Sequence, residues 1–228
     1  MLEKHVIIVG SLIMKFKDVP IESPNMHLVS GEPGGGKTVT VFSIADRLHK
    51  QTGKDVYVTL REEDKKIEEF KVPKHIHSHV GFNYPVDSIV VTDDLQRLAH
   101  ARRFQSDVNV YLDQQHALLR HDNIDFIYDT QTLTGIDRNN ILRSNYRWYK
   151  RPYQLERDFG RPEVATELEL SDIALADKGK KYAYIFSRAY EGLVSDIPLP
   201  KYWSEELSRL HRRRPSMIER FRRVKIFG

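Results

Sequence analysis

The stretch Gly31-Glu32-Pro33-Gly34-Gly35-Gly36-Lys37-Thr38 limits what this chain can fold into more than any other. It fits G-x-x-x-x-G-K-[ST], a loop whose backbone N–H groups turn inward around phosphates. That pattern has meaning only between a strand and a helix, and both are expected here. Met26 to Ser30 is a short apolar run that reads as a buried strand. Behind the loop, Val41, Ile44, Ala45 and Leu48 recur at helical spacing. The helix start adds its positive end to the loop's N–H groups. Lys37 is then placed for the β- and γ-phosphates of a nucleotide and the Thr38 hydroxyl for Mg²⁺, while Gly31, Gly34, Gly35 and Gly36 let the backbone approach. A glycine-rich turn that merely joined strand to helix would have no use for the Lys-Thr pair.

A second constellation stands at the expected distance downstream. Ile89-Val90-Val91-Thr92-Asp93-Asp94 is an apolar strand ending in acid, the Walker B pattern. Asp93 is the expected Mg²⁺ ligand through the metal's water shell, and Asp94 occupies the place of a base that polarises the attacking water. The alternative, a strand ending in ordinary solvated acids, loses weight beside the upstream loop. Another strand, read as Ile124 to Tyr128, leads to Asp129-Thr130-Gln131. In open α/β sheets that edge lines the ligand crevice, so the Gln131 amide could sense the γ-phosphate.

The 228 residues suit one α/β domain. The expected division is a nucleotide-binding domain over 1–200, N-terminal strands included, and a basic helical tail over 201–228. Strands are expected at 5–16, 55–60 and 181–187, the last paired with Thr166 to Leu170, and helices from Leu95 and from Trp203. Alternation of strands with helical segments argues for a mainly parallel sheet covered on both faces. No cysteine is present, which excludes disulfides, thiol catalysis and cysteine-ligated zinc. No apolar run approaches the ~20 residues that span a bilayer, and Val6 to Val9 is too short for a signal peptide. A cytoplasmic protein without a transmembrane segment is the simplest reading. His75, His77 and His79 fall at every second position, which on a strand would make a metal site conceivable; a polar connecting loop is the plainer expectation.

The segment Arg120-His121-Asp122-Asn123-Ile124-Asp125-Phe126-Ile127-Tyr128-Asp129-Thr130-Gln131 resembles the arginine-to-glutamine segment of the FtsK–HerA superfamily of DNA-pumping ATPases. In that superfamily an arginine eleven residues before the strand-end Thr-Gln acts as a finger on the neighbouring subunit's nucleotide, and Arg120 and Gln131 match the spacing. The likeness covers roughly residues 26 to 150. In size it is similar to genome-packaging ATPases of membrane-containing icosahedral viruses and to zonula occludens toxin-like phage assembly proteins. It departs from the pattern at Asp94, where a glutamate is usual, and after residue 150, where no motif matches. The resemblance implies an α/β P-loop NTPase of the RecA/ASCE-like kind that hydrolyses ATP with Mg²⁺ in a homo-oligomeric ring, a pentamer or hexamer. It further implies double-stranded DNA as cargo and a portal or capsid protein as partner.

Other readings stay open. Arg138 and Arg143 rival Arg120 as the finger, and Arg120 could simply cap a helix end. Arg97, Arg102 and Arg103, with Arg212-Arg213-Arg214 and Arg222-Arg223 of the tail, could meet DNA phosphates or an acidic protein. Tyr146 to Tyr153 mixes aromatics and cations and invites base stacking, although a half-buried edge or penultimate strand explains it better. A toxin-like assembly ATPase usually carries a transmembrane segment. A small-molecule kinase needs an arginine-rich lid, and only Arg138 to Arg151 could supply one.

Overall fold

The computed structural model describes residues 13–61, 64–95 and 119–207. The strands are β1 (Met14–Lys15), β2 (Met26–Ser30), β3 (Asp55–Leu60), β4 (Ile76–Val80), β5 (Ser88–Thr92), β6 (Asp125–Thr130), β7 (Tyr146–Tyr149), β8 (Ala183–Ser187) and β9 (Glu191–Ser195). The helices are α1 (Lys37–Thr52), α2 (Arg138–Arg143), α3 (Gln154–Phe159) and α4 (Ala165–Leu175). Among the described residues the strands form one sheet in the order β1-β9-β8-β7-β2-β6-β5-β3-β4. Every pairing is parallel except those that β8 makes with β7 and β9, so one reversed strand breaks an otherwise parallel sheet.

Strand alternation divides the core into two layers. Val29, Ile89, Val91, Ile127 and Trp148 face α1 and pack with its Val41, Phe42, Ile44 and Leu48. Leu28, Val90, Phe126, Tyr128 and Tyr149 face the other way, onto Ile141 of α2 and Leu168 and Leu175 of α4. The sheet is therefore covered on both faces, as alternation of strands and helices predicts. Gly53, in the left-handed region at φ 76, ends α1 by donating its N–H to His49 O.

Thr166 to Leu170 is not a strand paired with 181–187: it lies in α4. Thr-Glu-Leu-Glu-Leu alternates, but Leu168, Ser171 and Leu175 bury one helical face, and Glu167 fixes that face to the sheet. Its carboxylate accepts Arg147 Nε at 2.7 Å and Nη2 at 2.6 Å, and the Tyr149 hydroxyl at 2.7 Å. The partners of β8 are instead β7 and β9. After β6 the chain forms only the short α2, Arg138–Arg143, with the Asp137 carboxylate capping Asn139 N–H.

At the N-terminal edge of the sheet, Asp125 opens β6 with no exposed surface. Its carboxylate accepts Lys54 Nζ at 2.9 Å, Ser23 Oγ at 2.6 Å and Asn25 N–H at 2.9 Å. One buried anion thus ties the approach to β2, the end of α1 and the start of β6. Tyr202 and Trp203 close over α1, with Tyr202 donating to Asp46 at 2.7 Å and both rings against Phe42. Residues 203–207 contain no α-helix, and Leu207 is buried in the core. The expected strands before residue 13, the Walker B helix with Arg97, Arg102 and Arg103, and the tail's Arg212–Arg214 and Arg222–Arg223 lie outside the described residues.

Candidate functional site

The glycine loop leaves β2 at its C-terminal end and runs into α1, as the sequence requires. Gly31 takes φ 149, and a Cβ there would stand 2.6 Å from Lys150 Cβ and 3.0 Å from Arg151 O. Only a residue without a side chain fits so close to β7. Gly36, at φ 89, is the residue from which α1 starts. Lys37 is 7 % exposed and curls back into the loop, donating to Gly31 O at 3.0 Å and Glu32 O at 3.1 Å. Its ammonium is thereby held where incoming phosphate oxygens would be stronger acceptors than two carbonyls.

The acids meet the loop from the neighbouring strand ends. Thr38 Oγ1 donates to Asp93 Oδ1 at 3.3 Å, which joins the first turn of α1 to the end of β5. A hydroxyl beside a carboxylate, with the loop lysine nearby, is a donor set that fits Mg²⁺. Thr38 and Asp93 would hold the ion, which when bound would neutralise charge on the terminal phosphates. Asp94 follows in a left-handed conformation at φ 55 and donates its N–H to Asp129 Oδ1 at 2.6 Å.

Asp129 is the residue that sequence reasoning missed. Thr92 pairs with Tyr128 in the β5–β6 ladder, so Asp93 and Asp129 emerge side by side. Burial first, then the charge of Asp93, pushes the Asp129 carboxyl well above the usual carboxylate range, and the two carboxyls are hydrogen-bonded. Asp129 is thus a buried strut between Asp93 and the Asp94 backbone, with its charged form disfavoured. The signal was the acid one step inside the end of β6, which becomes meaningful only when β6 is known to lie between β2 and β5.

Gln131 follows β6 at the same sheet edge, next to the position where β2 gives way to Gly31, and it is exposed. Arg120 lies elsewhere. It is exposed in the turn that precedes β6, at the opposite edge of the sheet from the glycine loop. Six residues of strand, about 20 Å at ~3.3 Å each, separate the two edges, beyond an arginine's reach within one copy. Of its rivals, Arg138 is ion-paired with Glu163 at 2.5 Å, and Arg143 is exposed at the end of α2.

The histidine run is not a connecting loop throughout: His75 stands in the turn before the sheet's last strand, β4, and His77 and His79 lie in that strand, paired with β3. Its rings are spent on packing. His75 stacks on His49 at 3.6 Å, and His79 lies 5.1 Å from Tyr84. Among the described residues no group of three His, Asp or Glu side chains is arranged to hold a metal ion. The aromatic run at 146–149 is neither an edge nor a penultimate strand but β7, flanked by β2 and β8, with Trp148 and Tyr149 buried. Those two rings are core and have no face for a base.

No protein-family profile and no curated protein matches the chain. Solved structures do match its fold. The DNA-packaging ATPase B204 of Sulfolobus turreted icosahedral virus superposes with a TM-score of 0.56 at 12 % identity, over 76 % of this chain and 97 % of its own. The genome-packaging NTPase B204 of Sulfolobus turreted icosahedral virus 2, solved with sulfate, gives 0.55 at 8 % identity, over 74 % and 94 %. The pCW3 conjugation coupling protein TcpA, solved with ATPγS, gives 0.51 at 17 % identity, over 83 % of this chain and 66 % of its own. The chain therefore has the α/β P-loop NTPase fold that its phosphate loop implies, and shares it with packaging NTPases and a coupling protein.

Proposed function

We propose that this chain is an Mg²⁺-dependent ATPase of the FtsK–HerA type that translocates double-stranded DNA, packaging a viral genome as a homo-oligomeric ring. The observation that carries the reading is the convergence of Lys37, Thr38, Asp93 and Asp129 at adjacent strand ends. The fold it shares with two packaging NTPases supports the cargo. The glycine loop and Lys37 cradle the phosphates, and Thr38 and Asp93 hold the ion. Asp94 takes the proton of the attacking water, its backbone pinned by Asp129, while Gln131 faces the γ-phosphate.

The placement of Arg120 favours a shared site. Its own loop is out of reach, so its guanidinium serves the transferring phosphoryl of an adjoining copy, a contact that speeds hydrolysis by roughly 10³–10⁵ in related systems. A head-to-tail interface that closes on itself makes such a ring. Among the described residues no helix is long and apolar enough to cross a membrane, so nothing in them supplies the span a toxin-like assembly ATPase usually carries.

ATP hydrolysis with and without duplex DNA, at two salt concentrations, tests the proposal. Stimulation by DNA that weakens with salt supports a translocase. Turnover indifferent to DNA, with phosphate passed to an added nucleoside or metabolite, identifies a kinase instead.

A further inference from the structure

A second lysine lies beneath the phosphate loop, on the side away from the acids. Lys150 follows β7 and is 1 % exposed. Its backbone N–H donates to Ser30 O at 2.7 Å, and the next carbonyl, Arg151 O, accepts Glu32 N–H at 2.9 Å, so it extends the β2–β7 ladder into the loop. Its side chain then runs under the glycines. A Cβ on Gly35 would meet Lys150 Cβ at 3.7 Å, and one on Gly36 would meet Lys150 Cε at 3.8 Å.

The ammonium has neutral partners. Lys150 Nζ donates to Lys180 O at 2.7 Å and Tyr182 O at 2.6 Å, binding the turn before β8 against the start of α1. Among the described residues it has no ion-pair partner. The elements packed against it carry Glu32 and Lys37 on the loop, Arg151 next in sequence and Lys180 on the turn, with Glu32 Cγ and Lys180 Cβ near the same glycines. Burial alone pushes its ammonium down to about 7. Two short bonds to carbonyls therefore hold an amine whose charge burial disfavours, directly below the backbone that would receive phosphates.

We propose that Lys150 is a positioning residue of the nucleotide site: it clamps the 180–182 turn to the glycine loop, and a bound nucleotide's phosphates draw a proton onto its amine. The proposal rests on the loop being a nucleotide site and adds a role that neither Lys37 nor the acids provide. The proton comes from solvent, and no bond other than N–H is made. An anion arriving within about 8 Å favours the charged amine by a unit of pKa or more. A one-unit rise takes up about half a proton per site at pH ~7.5 and links to about tenfold in affinity.

Calorimetric titration of the full chain with Mg·ADP, in two buffers of different ionisation heat, reads that uptake directly. Wild type is expected to take up about half a proton at pH ~7.5 and to lose affinity as pH rises from about 6.5 to 8.5. Lys150→Met and Lys150→Arg are expected to lose the uptake. Lys150→Met loses the clamp at every pH, and beyond that constant loss its gap to wild type should be about tenfold wider at the low end than at the high end. A merely structural lysine would lower affinity equally at every pH. Uptake unchanged in either variant, or no uptake by wild type, overturns the inference while leaving the nucleotide site standing. Absence of Mg·ADP binding by wild type overturns both.

Discussion

His27 gives the sharpest test of how the sheet is held together. It sits in β2, directly before the phosphate loop, with no exposed surface. Its ring stacks on Tyr146 at 4.6 Å and 9°, and Nδ1 accepts Trp148 Nε1–H at 3.4 Å. Burial, then the nearby Arg47 guanidinium, pushes its pKa down to about 3. The unfolded chain binds a proton at this histidine below about pH 6.5 and the folded one does not. Stability is therefore intact above the unfolded value and falls as pH drops, until the folded ring also protonates near 3. At ~1.36 kcal/mol per unit, acidifying from about pH 7.5 to 4.5 removes about 2.7 kcal/mol through this one residue. His27→Phe keeps a planar ring against Tyr146 and cannot titrate. Denaturant midpoints followed by tryptophan fluorescence across that range should show the variant gaining about 2.7 kcal/mol on wild type at the acid end. Parallel pH profiles for the two proteins would refute the argument, because then no proton is being excluded at this site.

Four further outcomes are expected. Lys37→Ala should abolish nucleotide binding, whereas Asp94→Asn should bind in equilibrium titration and fail to hydrolyse; full turnover by the latter removes Asp94 as the base. Mixing Arg120→Ala protein with Lys37→Ala protein should restore part of the ATPase rate that each lacks alone, and no restoration at any ratio counts against a finger acting between copies. Asp125→Asn leaves Lys54 buried without its counter-ion and should cost about 3–5 kcal/mol in a denaturation series, as broken buried pairs do. A loss below about 1 kcal/mol would place Asp125 among exposed-type pairs instead.

Much of the fold could be read from local pattern. β2, β3 and β5 are continuous or alternating apolar runs bounded by turn residues, and the loop at 31–38 demanded a strand before it and a helix after it. What failed did so where pattern is degenerate. Thr166 to Leu170 has alternation that serves a strand and leucine spacing that serves a helix; the bond between Glu167 and Arg147, twenty positions away, is a tertiary fact. The histidines looked like a loop because their polarity hides an edge strand whose rings pack sideways. At the site, Lys37, Thr38 and Asp93 were legible because each has a fixed offset from a motif. Asp129 and Lys150 were not, because their roles depend on which strands are neighbours. A buried lysine in a basic, aromatic run carries no local mark of its burial.

The distance between Arg120 and its own glycine loop has a consequence for how such a protein behaves on dilution. If the guanidinium works across copies as proposed, loading with nucleotide is a property of each molecule, whereas turnover depends on encounters and rises more steeply than linearly with concentration. Dispersed chains would then remain charged and idle, and only a site of assembly that gathers them would release the stored triphosphate.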